Sequence, residues 1–126
     1  MSKKIGVIAE DNSDVEVVIE ILAKYLVRNT FSVKKFVGNG CGKLKQKCDS
    51  WAHLLFKSGC EHVLLLHDLD RNKEAALRKS LEMKLPPKDY PNTLIVIPIE
   101  ELEAWLLSDG GAIQKSILFI KNSKTN

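Results

Sequence analysis

Ile5-Gly6-Val7-Ile8-Ala9-Glu10 and Val63-Leu64-Leu65-Leu66-His67-Asp68-Leu69-Asp70 decide the fold. Each is a short apolar run that ends in acids and leads into a helical pattern. Continuous apolar runs of this length read as strands buried on both faces of a parallel sheet. Open α/β sheets bind ligands just outside the carboxyl ends of such strands. Two strands therefore deliver acids to the edge where chemistry is expected: Glu10, with Asp14 four residues on, and the pair Asp68 and Asp70. Acids gathered at one edge repel one another unless a cation joins them. An oxygen-rich donor set suits Mg²⁺ or Mn²⁺.

The rest of the chain alternates around these two runs. Val15, Val18, Ile19, Leu22 and Leu26 recur at helical spacing and predict a helix over about 13–28, with capping residues in Asp11-Asn12-Ser13. Residues 31–37 read as a second strand, broken by the glycines at 38, 40 and 42. Leu44, Cys48, Trp51, Ala52, Leu55 and Phe56 predict a second helix, stopped at Ser58-Gly59. A third strand covers about 61–67, and a helix over 71–84 carries Ala75, Leu77, Leu81 and Met83. Residues 93–98 give a fourth strand and about 99–107 a last helix. Strict alternation implies a parallel sheet of at least four strands, right-handed crossovers and helices on both faces. Residues 1–111 are expected to form this domain, and 112–126 a tail, either a further strand or the stub of a longer element.

Composition bounds the function classes. A chain of 126 residues with 44% hydrophobic and 28% charged content is an ordinary globular domain. Its apolar runs are too short to span a bilayer, and Met1-Ser2-Lys3-Lys4 lacks the apolar segment of a secretory signal. A cytoplasmic protein without membrane association is expected. Cys41, Cys48 and Cys60 are irregularly spaced and contain no CxxC, so neither a zinc site nor a redox motif is supported. The net charge of +3 is mild. Lys34, Lys35, Lys43, Lys45 and Lys47 nevertheless gather around the glycines, and Lys43 and Lys45 are candidates for gripping phosphate. A solvated loop and an outer helix face explain the same lysines without a ligand.

Each motif has a structural reading beside the chemical one. Asp11 and Asp14 suit a helix N-terminus, but Glu10 lies at the strand end itself. Asp70 could be a helix cap, yet an apolar strand ending in Asp68-x-Asp70 sends two carboxylates toward the sheet edge. Glu100 and Glu103 share a helix face after the fourth strand, while Trp105 reads as core. His67 is a weaker candidate for a base or ligand, and His53 and His62 show no partner pattern. The segment Gly38-x-x-x-Gly42-Lys43 is one residue short of a phosphate loop, and Leu44 stands where Ser or Thr would bind Mg²⁺.

Taken together, Glu10-Asp11-Asn12-Ser13-Asp14, Asp68-Leu69-Asp70 and the β/α alternation resemble the Toprim family of topoisomerases, primases and nucleases. Residues 97–105, Ile97-Pro98-Ile99-Glu100-Glu101-Leu102-Glu103-Ala104-Trp105, are similar to the E-x-W segment of small bacterial Toprim-like proteins of mobile elements and defence. The resemblance covers roughly 4–109. Asp11 replaces the family's Gly, and Asn72-Lys73 follows the DxD where many members keep Gly. The resemblance implies a Rossmann-like Toprim fold and a Mg²⁺-dependent nuclease, in phage defence or a mobile element. It implies Asp68 and Asp70 as metal ligands and Glu10 as ligand or general acid/base. Glu103 would be an outer or second-metal ligand, and Asp14 would enter a two-metal version. Nucleic acid is the implied partner, and a homodimer or a partner protein is compatible with it.

Two other readings fit the same residues. A receiver-like phosphoacceptor also has acids after its first and third strands, but it needs a Lys after a later strand, and Ile97-Pro98-Ile99 offers none. A non-catalytic nucleic-acid-binding or assembly module would keep the fold without the chemistry.

Overall fold

The structure, a computed structural model, describes residues 3–26, 30–39, 43–67, 73–86, 88–90 and 92–97. Their order is β1 (Lys3–Ala9), α1 (Asn12–Tyr25), β2 (Phe31–Val37), α2 (Lys43–Lys57), β3 (His62–Leu66), α3 (Glu74–Lys84) and β4 (Thr93–Val96). The strands form one four-stranded sheet, β2-β1-β3-β4, with every pairing parallel. The α/β fold with its all-parallel sheet is thus the one expected, and it is consistent with a Rossmann-like architecture. The expected helix over 99–107, the tail over 112–126 and the residues Asp68, Asp70, Glu100 and Glu103 lie outside the described residues.

Strand alternation sorts the core into two layers. Ile5, Val7 and Ala9 of β1 and Leu64 and Leu66 of β3 pack with Val15, Val18, Ile21 and Leu22 of α1. Ile8, Val63 and Leu65 face the other way, onto Leu44, Cys48, Ala52 and Leu55 of α2 and Leu77 and Leu81 of α3. Among the described residues one helix therefore covers one face and two cover the other. The central strands β1 and β3 are apolar on both sides, which is why their sequences do not alternate.

Two glycines shape the α2 layer. A Cβ on Gly6 would stand 2.8 Å from Leu55 Cδ1 and 3.2 Å from its Cβ, so the missing side chain lets α2 lie close on β1. At the end of α2, Gly59 has φ +102. Its N–H donates to Phe56 O at 3.1 Å, and Cys60 N–H donates to Leu55 O at 3.0 Å. This paired arrangement is a Schellman stop, which needs a residue of positive φ at that place. Leu55 and Cys60, the apolar pair that closes such a motif, are both buried.

Some expectations need correction. The first helix closes at Tyr25 rather than 28, because Leu26 turns to extended backbone and buries its side chain. Asp11 takes the N-cap position without a side-chain cap bond. Met83 is 74% exposed, since Leu77, Leu81 and Leu85 define the inner face of α3 at spacing four and Met83 falls between them. Ala75 is exposed for the same reason, and Ile19 sits at the margin of the inner face of α1.

Candidate functional site

The chain runs from β1 to β2 in one direction across the sheet and then returns past β1 to β3. This reversal makes the carboxyl ends of β1 and β3 the topological switch point, where open sheets form a crevice. Glu10 follows the last residue of β1 and His67 follows the last residue of β3. The two strands are in register through Ile8 and Leu65, so Glu10 and His67 come level across the crevice. His67 Nε2 stands 3.8 Å from Glu10 Oε1, with side chains 11% and 25% exposed respectively. That separation exceeds a hydrogen bond, and the contact is an ion pair only when His67 is protonated.

Backbone bonds fix both residues. Glu10 O accepts from Asn39 N–H at 2.8 Å, and Ala9 O accepts from Gly38 N–H at 2.9 Å. Asn39 has φ 54, a left-handed conformation that Asn tolerates better than most residues. On the other flank, His67 N–H donates to Val96 O at 3.1 Å. The loop after β2 and the end of β4 therefore hold the two sides of the crevice.

Asp14 lies half-buried in the first turn of α1, with its N–H donating to Asp11 O at 3.1 Å. Among the described residues no three His, Cys, Asp or Glu side chains come together as a metal-holding group. Glu10, His67 and Asp14 therefore do not make such a site by themselves. The remaining acids follow His67 directly in sequence as Asp68 and Asp70.

Lys43 opens α2, at the carboxyl edge of the sheet, and is exposed; Lys45 is half-buried. Leu44 between them is buried, and a Cβ on Gly38 would lie 3.3 Å from it. This packing takes the position where a phosphate loop would need a metal-binding hydroxyl. His62 lies at the amino end of β3, on the edge away from the crevice, and His53 is exposed on α2. Burial pushes the His62 imidazole below its ordinary range, with Lys3 acting in the same direction and Glu61 against it. Burial also raises the thiols of Cys48 and Cys60, which keeps them protonated and poor nucleophiles.

His67 is the residue that sequence reasoning undervalued. The spacing alone does not reveal the pairing: the ends of β1 and β3 come level only through the lateral register that pairs Ile8 with Leu65. Among the described residues no helix is long and apolar enough to cross a membrane.

A family model described as "Domain of unknown function (DUF4276)" matches residues 9–126. No curated protein matches the chain.

Proposed function

The chain belongs to the DUF4276 family, and we propose that it is a divalent-metal-dependent nuclease acting on nucleic-acid phosphodiesters. The observation that carries this reading is Glu10 facing His67 across the switch-point crevice at 3.8 Å, with Asp68-Leu69-Asp70 continuing from His67. The Toprim resemblance supports the same chemistry and suggests a place in phage defence or a mobile element.

The donor set is compatible with Mg²⁺ or Mn²⁺. Glu10 would supply one carboxylate, and Asp68 and Asp70 the further oxygens that such ions require. Asp14 and Glu103 would be outer or second-site ligands. When bound, the metal supplies charge neutralisation at the phosphoryl group and lowers the pKa of a bound water. His67 would orient the Glu10 carboxylate and accept or return a proton at Nε2. Lys43 and Lys45 would hold substrate phosphates at the carboxyl edge without reading bases.

The test is incubation of the full chain with single- and double-stranded DNA and RNA, with Mg²⁺ or Mn²⁺ and with chelator. Cleavage that needs metal and disappears in Glu10→Gln supports the reading. Intact nucleic acid of every kind, together with a stable acyl phosphate after treatment with a small phosphodonor, would favour a receiver-like domain.

A further inference from the structure

A groove of about 370 Å³ runs between strand β2 and the second half of α2, lined by Lys34, Lys35, Phe36, Leu54, Leu55 and Ser58. On α2 the residues Lys47, Trp51 and Leu54 recur at spacings of four and three, which aligns them in one stripe, and Ser58 follows the helix end. Leu54 and Ser58 belong to the groove wall, and Trp51 stacks on Phe36 of β2 with ring centroids 5.4 Å apart and planes 4° apart. The stripe therefore faces the sheet edge. Lys47 extends it toward the carboxyl end. At the amino end Lys4 Nζ donates to Ser58 O at 3.1 Å.

The chemistry of this surface is uniform. Lys34 and Lys35 lie in its lining, Lys4 reaches Ser58 at its amino end, and Lys47 stands on the helix stripe one turn before Trp51. Among the described residues that line the groove there is no acid. Among the described residues strand β2 is an edge, and its seven residues span roughly 23 Å at about 3.3 Å per residue. Lysines on such an edge discourage pairing with a second copy, because like charges would meet across the new ladder. A polyanion meets no such penalty. A duplex keeps its bases stacked inside and offers none to Trp51 and Phe36. A single strand offers both phosphates and free base faces, the pairing that strand-binding grooves use.

We propose that the β2–α2 groove binds single-stranded nucleic acid, with phosphates on Lys4, Lys34 and Lys47 and a base against the Trp51–Phe36 pair. Strand β2 continues from Phe36 to Val37, and the N–H of Asn39 just beyond it donates to Glu10 O, so a strand lying in the groove would be directed toward the crevice. This deepens the nuclease reading and rests on it for its purpose, but its binding test does not require cleavage.

Fluorescence anisotropy with labelled oligonucleotides of about 12 nucleotides, within the site sizes of single-strand grooves, tests the groove in chelator, where no metal-dependent step occurs. The full chain is expected to bind the single strand and to prefer it to the same sequence as duplex. Lys34→Ala should weaken binding about tenfold and reduce the slope of log affinity against log salt by about 0.7. Trp51→Leu should weaken it about tenfold with the salt slope unchanged, and Trp51→Phe should restore most of it. Lys79→Ala, on the exposed surface of α3, should bind as the parent does. Parent-like affinity and salt slope in Lys34→Ala would overturn the proposal, whether or not the protein cleaves. So would self-association without oligonucleotide binding, which would assign the groove to a second copy. Binding that follows the groove variants in a protein inert with Mg²⁺ and Mn²⁺ would uphold the groove and remove the nuclease reading.

Discussion

Glu10 and His67 are level across the β1–β3 ladder, two residues beyond its last pair, Ile8 and Leu65. Their side chains meet at 3.8 Å. No element other than the two central strands is needed to bring them together, and the apolar packing that fixes the register fixes the pair. The crevice is thus a direct product of the core.

If Glu10 and His67 act as a unit, their losses will not add. Glu10→Gln is expected to lower metal-dependent cleavage by about 10²–10⁴-fold, and His67→Gln by about 10²-fold. The double variant should be no slower than Glu10→Gln alone. Single-turnover rates on one substrate measure this, and a double variant slowed by the product of the two effects would show independent roles.

Gly6 tests the seating of α2 on the sheet. A methyl at this position would press on Leu55 at 2.8 Å. Gly6→Ala should therefore cost about 1–3 kcal/mol in urea unfolding. Gly6→Ala combined with Leu55→Ala should cost less than the two single changes summed, because the truncated leucine yields the space. Full additivity would mean that the contact carries no strain.

Gly59 tests the stop of α2. Its φ of +102 is one that side chains other than glycine rarely adopt. Gly59→Ala should lower stability by about 1–2 kcal/mol in urea unfolding. A variant as stable as the parent would show that the turn rearranges freely.

His62 gives a pH signature that belongs to the fold and not to the crevice. Burial holds its imidazole below the ordinary value of 6.5 in the folded state. The unfolded chain therefore binds its proton first as pH falls. The contribution of a neutral His62 is complete above pH 6.5 and is lost as pH drops from there toward the lowered folded value. Urea midpoints should decline across this window, and His62→Gln should flatten the decline. An unchanged slope in the variant would assign the pH dependence to other groups.

Much of this architecture was legible in the chain. The uninterrupted apolar runs at 5–9 and 63–66 announced central parallel strands, because only a strand covered on both faces needs no polar side. Helix faces were read less well where hydrophobicity was followed instead of spacing. Met83 is apolar but lies off the Leu77–Leu81–Leu85 line, and it is exposed. The end of α1 was overrun because Leu26 is as apolar as its neighbours, yet it reaches the core from extended backbone. Glu10 was identifiable as a strand-end acid. Its partner was not, because a sequence gives the strands without the lateral register that sets His67 beside it. The lysine cluster was visible as composition, but only the structure sets Lys34 in one groove with Phe36, on which Trp51 of α2 stacks.

The central claim is that the ends of β1 and β3 form one divalent-cation site. Calorimetric titration of the full chain with Mn²⁺ or Mg²⁺ tests it most directly, alongside Glu10→Gln and Asp68→Ala/Asp70→Ala. A saturable signal is expected in the parent and should be lost in both variants, each of them still folded by circular dichroism. A parent-like titration in Asp68→Ala/Asp70→Ala, or a parent that takes up neither ion, would contradict it.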